Sequence, residues 1–162
     1  MDDLFAPSDV SWTPVSPKLA TVRRLNAAIT FGLLAIAGLL LFGMMMDWLY
    51  GVLAVVVAAL GFGWAWIVIG RNQRSWKYAE REDELLVSHG IMFRQLVVVP
   101  YGRMQFVDVA AGPLERAFDL ATVELHTATP ATDAKIPGLH PDEAARLRDR
   151  LSALGQAQAW GL

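Results

Sequence analysis

The chain contains no cysteine, and it has little of the chemistry that catalysis or metal binding requires. The missing thiols exclude disulfides, iron–sulfur clusters, thiolate zinc sites and cysteine nucleophiles. The histidines His89, His126 and His140 are scattered without the paired spacing of a metal site. No glycine-rich phosphate loop follows any predicted strand. We therefore expect no cofactor, no metal site and no enzymatic activity.

The chain also lacks a strong charge of either sign, because 14 Lys and Arg side chains stand against 16 Asp and Glu side chains. This balance offers no bulk attraction to nucleic acid, so we expect no nucleic-acid partner. Only 19% of the residues are charged whereas 54% are hydrophobic, which is high for a water-soluble protein. The excess of hydrophobic residues is concentrated in residues 25–69. We therefore expect this part of the chain to contact the lipid bilayer.

Two long apolar runs account for that excess. Residues 25–46 contain only Asn26 and Thr30 as polar side chains, and residues 48–69 contain no charged side chain. A helix of about 20 such residues crosses the hydrocarbon core of a bilayer. Because only Asp47 separates the runs, the sequence predicts a two-helix transmembrane hairpin over residues 17–75. Small residues at helical spacing in both runs either close this hairpin or support oligomerisation.

The flanking cations predict the orientation of the hairpin. Arg23 and Arg24 precede the first run, and Arg71, Arg74 and Lys77 follow the second. Lys and Arg beside short loops are retained on the cytoplasmic side of a membrane. We therefore predict a multi-pass protein with both termini in the cytoplasm.

The remaining residues divide into a short amino-terminal segment and a carboxy-terminal domain. Residues 1–16 are acidic and interrupted by proline, which predicts a disordered cytoplasmic segment. Residues 76–155 have the mixed composition of a water-soluble fold and predict a cytoplasmic domain. Residues 156–162 are predicted to be a tail.

Within residues 76–155 the pattern is that of short strands followed by one helix. Strands are predicted over residues 76–81, 84–89, 91–99, 104–110, 120–127 and 135–136. A helix is predicted to begin at Pro141, with Asp142 and Glu143 in its first turn. Its apolar side chains follow helical spacing at Ala144, Leu147, Leu151 and Leu154. This order predicts an all-β barrel or sandwich capped by the carboxy-terminal helix.

Four segments of this domain carry a family resemblance. They are residues 78–90, the run Val98-Val99-Pro100-Tyr101-Gly102-Arg103-Met104-Gln105-Phe106-Val107, the run Phe118-Asp119-Leu120-Ala121-Thr122-Val123, and Ile136-Pro137-Gly138-Leu139. Together with the preceding hairpin, their order resembles the bacterial pleckstrin-homology-like (PH-like) membrane proteins of the YdbS-like type. One departure is Asp119, where this family pattern leads us to expect glycine.

The resemblance implies a PH-like barrel in the bacterial cell membrane and a non-catalytic role. It also implies a partner, either another membrane protein with PH-like domains or a second copy of this chain. Phosphoinositide-binding PH domains place cations in their first hairpin loop, since several phosphates need several cations. The first hairpin loop predicted here is Glu82-Asp83, which disfavours headgroup recognition at that position.

Two functional hypotheses therefore remain open. The first is a membrane-anchored interaction module that scaffolds or assembles with another membrane protein. Its candidate docking surface is formed by Arg94, Arg103 and Gln105, although these side chains also suit ordinary solvated or cross-strand contacts. The alternative is a lipid sensor at the membrane surface, to which Arg71, Arg74 and Lys77 would contribute.

Overall fold

The computed structural model describes residues 10–45, 47–128 and 133–159. In chain order the elements are β1 (Thr13–Pro14), α1 (Lys18–Met45), α2 (Trp48–Ser75), β2 (Lys77–Glu80), β3 (Glu84–His89), β4 (Gln95–Pro100), a 3-10 turn (Tyr101–Arg103), β5 (Met104–Ala110), α3 (Pro113–Ala117), β6 (Ala121–Thr127), β7 (Ala134–Leu139) and α4 (Pro141–Ala159). Residues 20–71 form one compact unit, and the described residues before 20 and after 71 form the other, here called the β-rich domain.

The first unit is a pair of apolar helices. Both α1 and α2 are long and apolar enough to cross a membrane, and the most apolar stretch of each has no buried residues. Small side chains allow the two backbones to approach each other, since a Cβ added to Gly38 would lie 2.8 Å from the Cβ of Ala54. Gly61 similarly accepts the ring of Phe31. These contacts support the hairpin-closing role of the small residues.

The β-rich domain contains two antiparallel sheets. The first has the strand order β1-β2-β3-β4, and the second has the order β5-β6-β7. On β6, residues alternate between buried and partly exposed, so one face of the second sheet points into the core. The core contains the fully buried side chains of Tyr78, Leu85, Val99, Tyr101, Val123, Leu125, Ile136, Leu147 and Leu151.

The prediction of a closed barrel is wrong. Among the described strands, β4 pairs only with β3 and β5 pairs only with β6, so no ladder joins the two sheets into a barrel. Between β4 and β5 the chain leaves the extended conformation, because the 3-10 turn Tyr101–Arg103 follows Pro100 at once. The structure has two separate antiparallel sheets instead.

Strand β1 precedes the two apolar helices in the sequence but belongs to the first sheet. Thr13 pairs with Tyr78 and Pro14 pairs with Lys77, while Val15 is buried. The prediction that residues 1–16 are disordered is therefore wrong for Thr13–Ser16, and residues 1–9 lie outside the described residues. The predicted domain start at residue 76 is also incomplete, because β1 supplies an edge strand of the sheet.

This topology places both apolar helices between the first two strands of the domain. The predicted first hairpin loop, Glu82-Asp83, consequently joins β2 to β3, while the connection from β1 to β2 runs through α1 and α2. At the other end of the chain, α4 continues to Ala159. The predicted tail thus begins too early, and residues 160–162 lie outside the described residues.

Candidate functional site

The candidate docking residues do not form one surface. Arg94 lies in the loop before β4, whereas Arg103 ends the 3-10 turn that follows β4. The intervening strand has six residues, which is about 20 Å of extended chain. The structure therefore keeps Arg103 near Gln105 and separates Arg94 from both.

Gln105 lies at an irregular position of β5. The pairing of β5 with β6 shifts between Met104 and Phe106, which leaves Gln105 as the extra residue of a β-bulge. Arg103 belongs to the 3-10 turn and not to the strand. Arg103 and Gln105 therefore do not lie on one face of a regular strand.

Gln105 lines a groove between β5 and α4, here called the β5/α4 groove. Its β5 side is formed by Met104, Gln105, Phe106 and Val107, and its α4 side by Leu151, Ser152, Gly155 and Gln156. The groove has a volume of about 370 Å³. Gly155 lies next to the 3-10 turn, since a Cβ at this position would lie 3.4 Å from the carbonyl oxygen of Tyr101.

Strand β5 is an edge strand with exposed apolar side chains. It pairs with β6 on one side, and no strand among the described residues pairs with its other side. Phe106 is 52% exposed although its ring stacks on His126, with centroids 4.4 Å apart. Phe106 was not predicted as a site residue, because its stacking on His126 depends on the register between β5 and β6.

Polar contacts hold α4 against the first sheet and so fix one wall of the groove. The Tyr78 hydroxyl donates a 2.6 Å hydrogen bond to Glu143 Oε1. The Glu80 carboxylate forms ion pairs with the guanidinium groups of Arg146, at 3.3 Å, and Arg150, at 3.1 Å, measured between nitrogen and oxygen. These contacts join β2 to three successive turns of α4, because residues 143, 146 and 150 lie on one helix face.

Burial and neighbouring charges raise the pKa values of two tyrosines near α4, Tyr78 and Tyr101. Burial raises the pKa of Tyr101 to about 12, and the negative charge of Glu80 contributes to this shift. Burial, followed by the hydrogen bond to Glu143, raises the pKa of Tyr78 as well. Both phenols therefore remain neutral near pH 7, and they act as hydrogen-bond donors that hold the fold.

Two histidines of the β-rich domain, His89 and His126, contact side chains of the same domain. His126 lies 3.5 Å from Asp133 and 3.9 Å from Glu124, measured between ring nitrogen and carboxylate oxygen. Burial lowers the pKa of His89, whose ring stacks on Trp76. Within residues 10–45, 47–128 and 133–159, no group of three or more His, Cys, Asp or Glu side chains is placed to hold a metal ion.

The cations that predicted the orientation lie on three elements. Arg23 and Arg24 are in α1, Arg71 and Arg74 are in α2, and Lys77 begins β2. The Arg24 guanidinium lies 4.3 Å from the ring centroid of Trp66, and the Lys77 ammonium lies 4.8 Å from that of Trp12. Such pairs suit the membrane interface, where cations and aromatic rings collect. The orientation itself remains a prediction.

The last turn of α2 is tied to the strands and loops around it. Gln73 Nε2 donates to the carbonyl oxygens of Val15 and Ser16, both at 3.3 Å. The backbone N–H of Gly90, in the loop between β3 and β4, donates to Ser75 Oγ at 3.1 Å. The segment before α1, the end of α2 and the β3–β4 loop therefore lie together at this end of the first sheet.

Comparison with known proteins agrees with this architecture. The family model of the bacterial PH domain matches residues 22–155. The UPF0699 transmembrane protein YdbS of Bacillus subtilis (strain 168) is 38% identical over 109 residues, which is 67% of this chain and 67% of that protein. No solved structure is significantly similar.

Proposed function

Because the chain belongs to the bacterial PH-domain family of membrane proteins, we propose that its β-rich domain is a non-catalytic interaction module that docks another membrane protein. The proposed docking site is the β5/α4 groove. The proposed partner is a membrane protein with PH-like domains or a second copy of this chain. Two membrane-spanning helices with both termini in the cytoplasm would hold this module at the inner membrane surface.

The observation that carries the proposal is an edge strand beside an open groove. An extended segment of a partner can add itself to such an edge, since the strand offers unpaired backbone groups and the groove accepts alternate side chains. Here β5 supplies the edge, and Leu151 and Gly155 of α4 form the opposite wall. The site therefore suits an extended peptide better than a compact small molecule.

The side chains around the groove define the chemistry of the partner segment. Phe106 is an exposed aromatic anchor, and a few such anchors dominate the binding energy of many interfaces. Arg103 and Gln105 are exposed beside it and can donate hydrogen bonds. We expect the partner segment to present an apolar side chain to the groove and acceptor groups to Arg103 and Gln105.

The lipid sensor is the second candidate, and the ion pairs of the domain weigh against its headgroup-binding form. Arg146 and Arg150 are paired with Glu80, Arg81 with Glu84, and Lys135 with Glu124. Capturing a multiply charged headgroup needs several cations directed at one point. These cations are directed at carboxylates of the domain instead.

Photocrosslinking from the groove tests the proposal in the full chain. A photoreactive amino acid at Gln105 in intact membranes should form a discrete adduct with a membrane protein. Differently tagged copies of the chain then show whether that protein is a second copy. The same amino acid at Lys135, which lies on β7 and does not line the groove, is the control and should give no such adduct. Equal adducts from both positions, or lipid adducts alone from Gln105, would contradict the proposal.

A further inference from the structure

The β3–β4 loop, residues 90–94, exposes the two most accessible large apolar side chains of the β-rich domain among the residues described. Met92 is 84% exposed and Phe93 is 80% exposed, and they are adjacent. We propose that this loop inserts its tip into the interfacial region of the lipid bilayer, as a contact additional to the two apolar helices.

The topology of the sheet determines which end of it this loop occupies. The chain leaves α2 at Ser75, runs along β2 away from that point, and returns along antiparallel β3, with Lys77 opposite Ser88. The β3–β4 loop therefore lies at the end of the sheet where α2 ends. The Glu82-Asp83 turn lies at the opposite end, one strand length away.

Contacts fix the loop at this end. The Gly90 N–H donates to Ser75 Oγ at 3.1 Å, and the ring of His89 stacks on Trp76 at 4.4 Å between centroids. Trp76 also donates from its indole N–H to Asn72 Oδ1 at 3.0 Å. The loop is thus attached to the last turn of α2, whose apolar run ends at Ile69.

The distances along the chain are compatible with contact. Ser75 follows Ile69, the last residue of the apolar run, by six residues, which is about 9 Å of helix rise. Met92 is two residues beyond Gly90, and two residues extend up to about 7 Å. The headgroup zone on each side of the hydrocarbon core is about 5–8 Å thick. The loop tip can therefore reach this zone from its attachment at Ser75.

The loop is also shaped to present its tip. Gly90 has φ of +108°, and a Cβ there would lie 2.0 Å from the carbonyl oxygen of Phe93. Only glycine allows this tight reversal, and Met92 and Phe93 are exposed within it. Arg94 follows them and is exposed, a position from which a guanidinium can meet lipid phosphates.

The loops at the two ends of the first sheet differ in composition, and the difference agrees with a bilayer contact at one end only. The loop beside the end of α2 is apolar at its tip, whereas the loop at the opposite end is Glu82-Asp83. A water-facing loop gains nothing from two adjacent exposed apolar side chains, but a membrane-facing loop buries them. Arg94 is accordingly assigned to the bilayer contact and not to the β5/α4 groove.

The absence of cysteine makes a direct test possible in the full chain. Single-cysteine variants Met92→Cys and Phe93→Cys would carry an environment-sensitive fluorophore, with Glu82→Cys as the control in the opposite loop. The proteins are placed in nanodiscs of phosphatidylethanolamine and phosphatidylglycerol. Quenching is measured with nitroxide-bearing lipids and with aqueous iodide.

We expect labels at 92 and 93 to show blue-shifted emission, quenching by the nitroxide lipids and protection from iodide, and the label at 82 to show the reverse. This pattern should persist at high salt, where surface electrostatic attraction is screened. Iodide access at 92 and 93 equal to that at 82 would overturn the proposal. So would protection from both quenchers, which indicates a protein contact, or lipid quenching that disappears at high salt.

Discussion

The Tyr78 hydroxyl donates a 2.6 Å hydrogen bond to Glu143 Oε1, and this contact joins β2, directly after the two apolar helices, to the first turn of α4. Tyr78 is buried, whereas the Glu143 side chain is 39% exposed. The two residues are 65 positions apart in the sequence. The wall of the β5/α4 groove is therefore positioned by a strand far from it in the chain.

Tyr78→Phe removes this hydrogen bond and keeps the buried ring. Because water can hydrate the released Glu143 carboxylate, we expect the free energy of unfolding to fall by only about 1 kcal/mol. Thermal unfolding of the full chain in detergent measures the change. Tyr50→Phe, the same substitution at an exposed tyrosine of α2, is the matched control and should melt like the wild type. An unchanged midpoint for Tyr78→Phe would show that this hydrogen bond contributes nothing.

The buried phenols predict a loss of stability at alkaline pH. The Tyr101 hydroxyl donates to the carbonyl oxygen of Arg81 at 3.0 Å, and burial raises its pKa from 10.0 to about 12. A pKa raised by folding means that the stabilisation is complete below pH 10 and is lost as the pH rises towards 12. Between these values the wild type should lose stability more steeply than Tyr101→Phe. Denaturant unfolding at several pH values in this window measures both slopes, and equal slopes would contradict the assignment.

The carboxy-terminal helix should be essential to the domain. Leu147 and Leu151 are fully buried, so truncating either to Ala should cost about 2–5 kcal/mol. Leu154 is only partly buried, and Leu154→Ala should cost clearly less. The measurement is thermal unfolding of the full chain in detergent. If Leu147→Ala and Leu154→Ala had the same unfolding midpoint, Leu147 would not be the core residue of α4 described here.

The flanking cations predict that the carboxy terminus is cytoplasmic. A reporter that is active only outside the cytoplasm, fused after the last residue, should therefore be inactive in cells. Replacing Arg71, Arg74 and Lys77 with Gln should raise the active fraction, because these charges favour retention on the inner side. A control with three neutral substitutions at distant surface positions should not. Strong activity of the unaltered fusion would contradict the orientation.

Local sequence patterns predicted most elements of the β-rich domain. The limits of β3 and β5 and the start of α4 at Pro141 agree with the prediction. Each of these elements has a marked end, such as the acidic pair before β3 or the proline that begins α4. The two apolar helices were predictable for a similar reason, since each is a long uninterrupted run of apolar residues of the length that a bilayer span needs.

Features that depend on distant pairing were not predictable in this way. Strand β1 has two residues, and its partner β2 lies beyond both apolar helices, so no local period marks it. The open arrangement of the two sheets depends on which strands fail to pair across the 3-10 turn. The groove depends on the approach of α4 to β5, and its residues 104–107 and 151–156 share no sequence motif.

Two local features were also missed or left undecided. The five-residue helix α3 was not predicted, although Glu115 accepts the Gly112 N–H at 2.9 Å and so caps its start. Asp119, at the position where glycine was expected, has φ of +55°. Aspartate tolerates this left-handed conformation better than most residues, so the turn is retained without glycine.

The central claim is that the β5/α4 groove receives a protein segment, and filling the groove tests it most directly. Ser152 lines the groove, while the next residue, Ala153, is exposed and does not line it. Ser152→Trp and Ala153→Trp therefore add the same side chain inside and outside the site. The measurement is the yield of the protein adduct from a photoreactive amino acid at Gln105 in intact membranes. The account predicts that Ser152→Trp abolishes the adduct and that Ala153→Trp retains it, whereas equal yields from the two variants would contradict it.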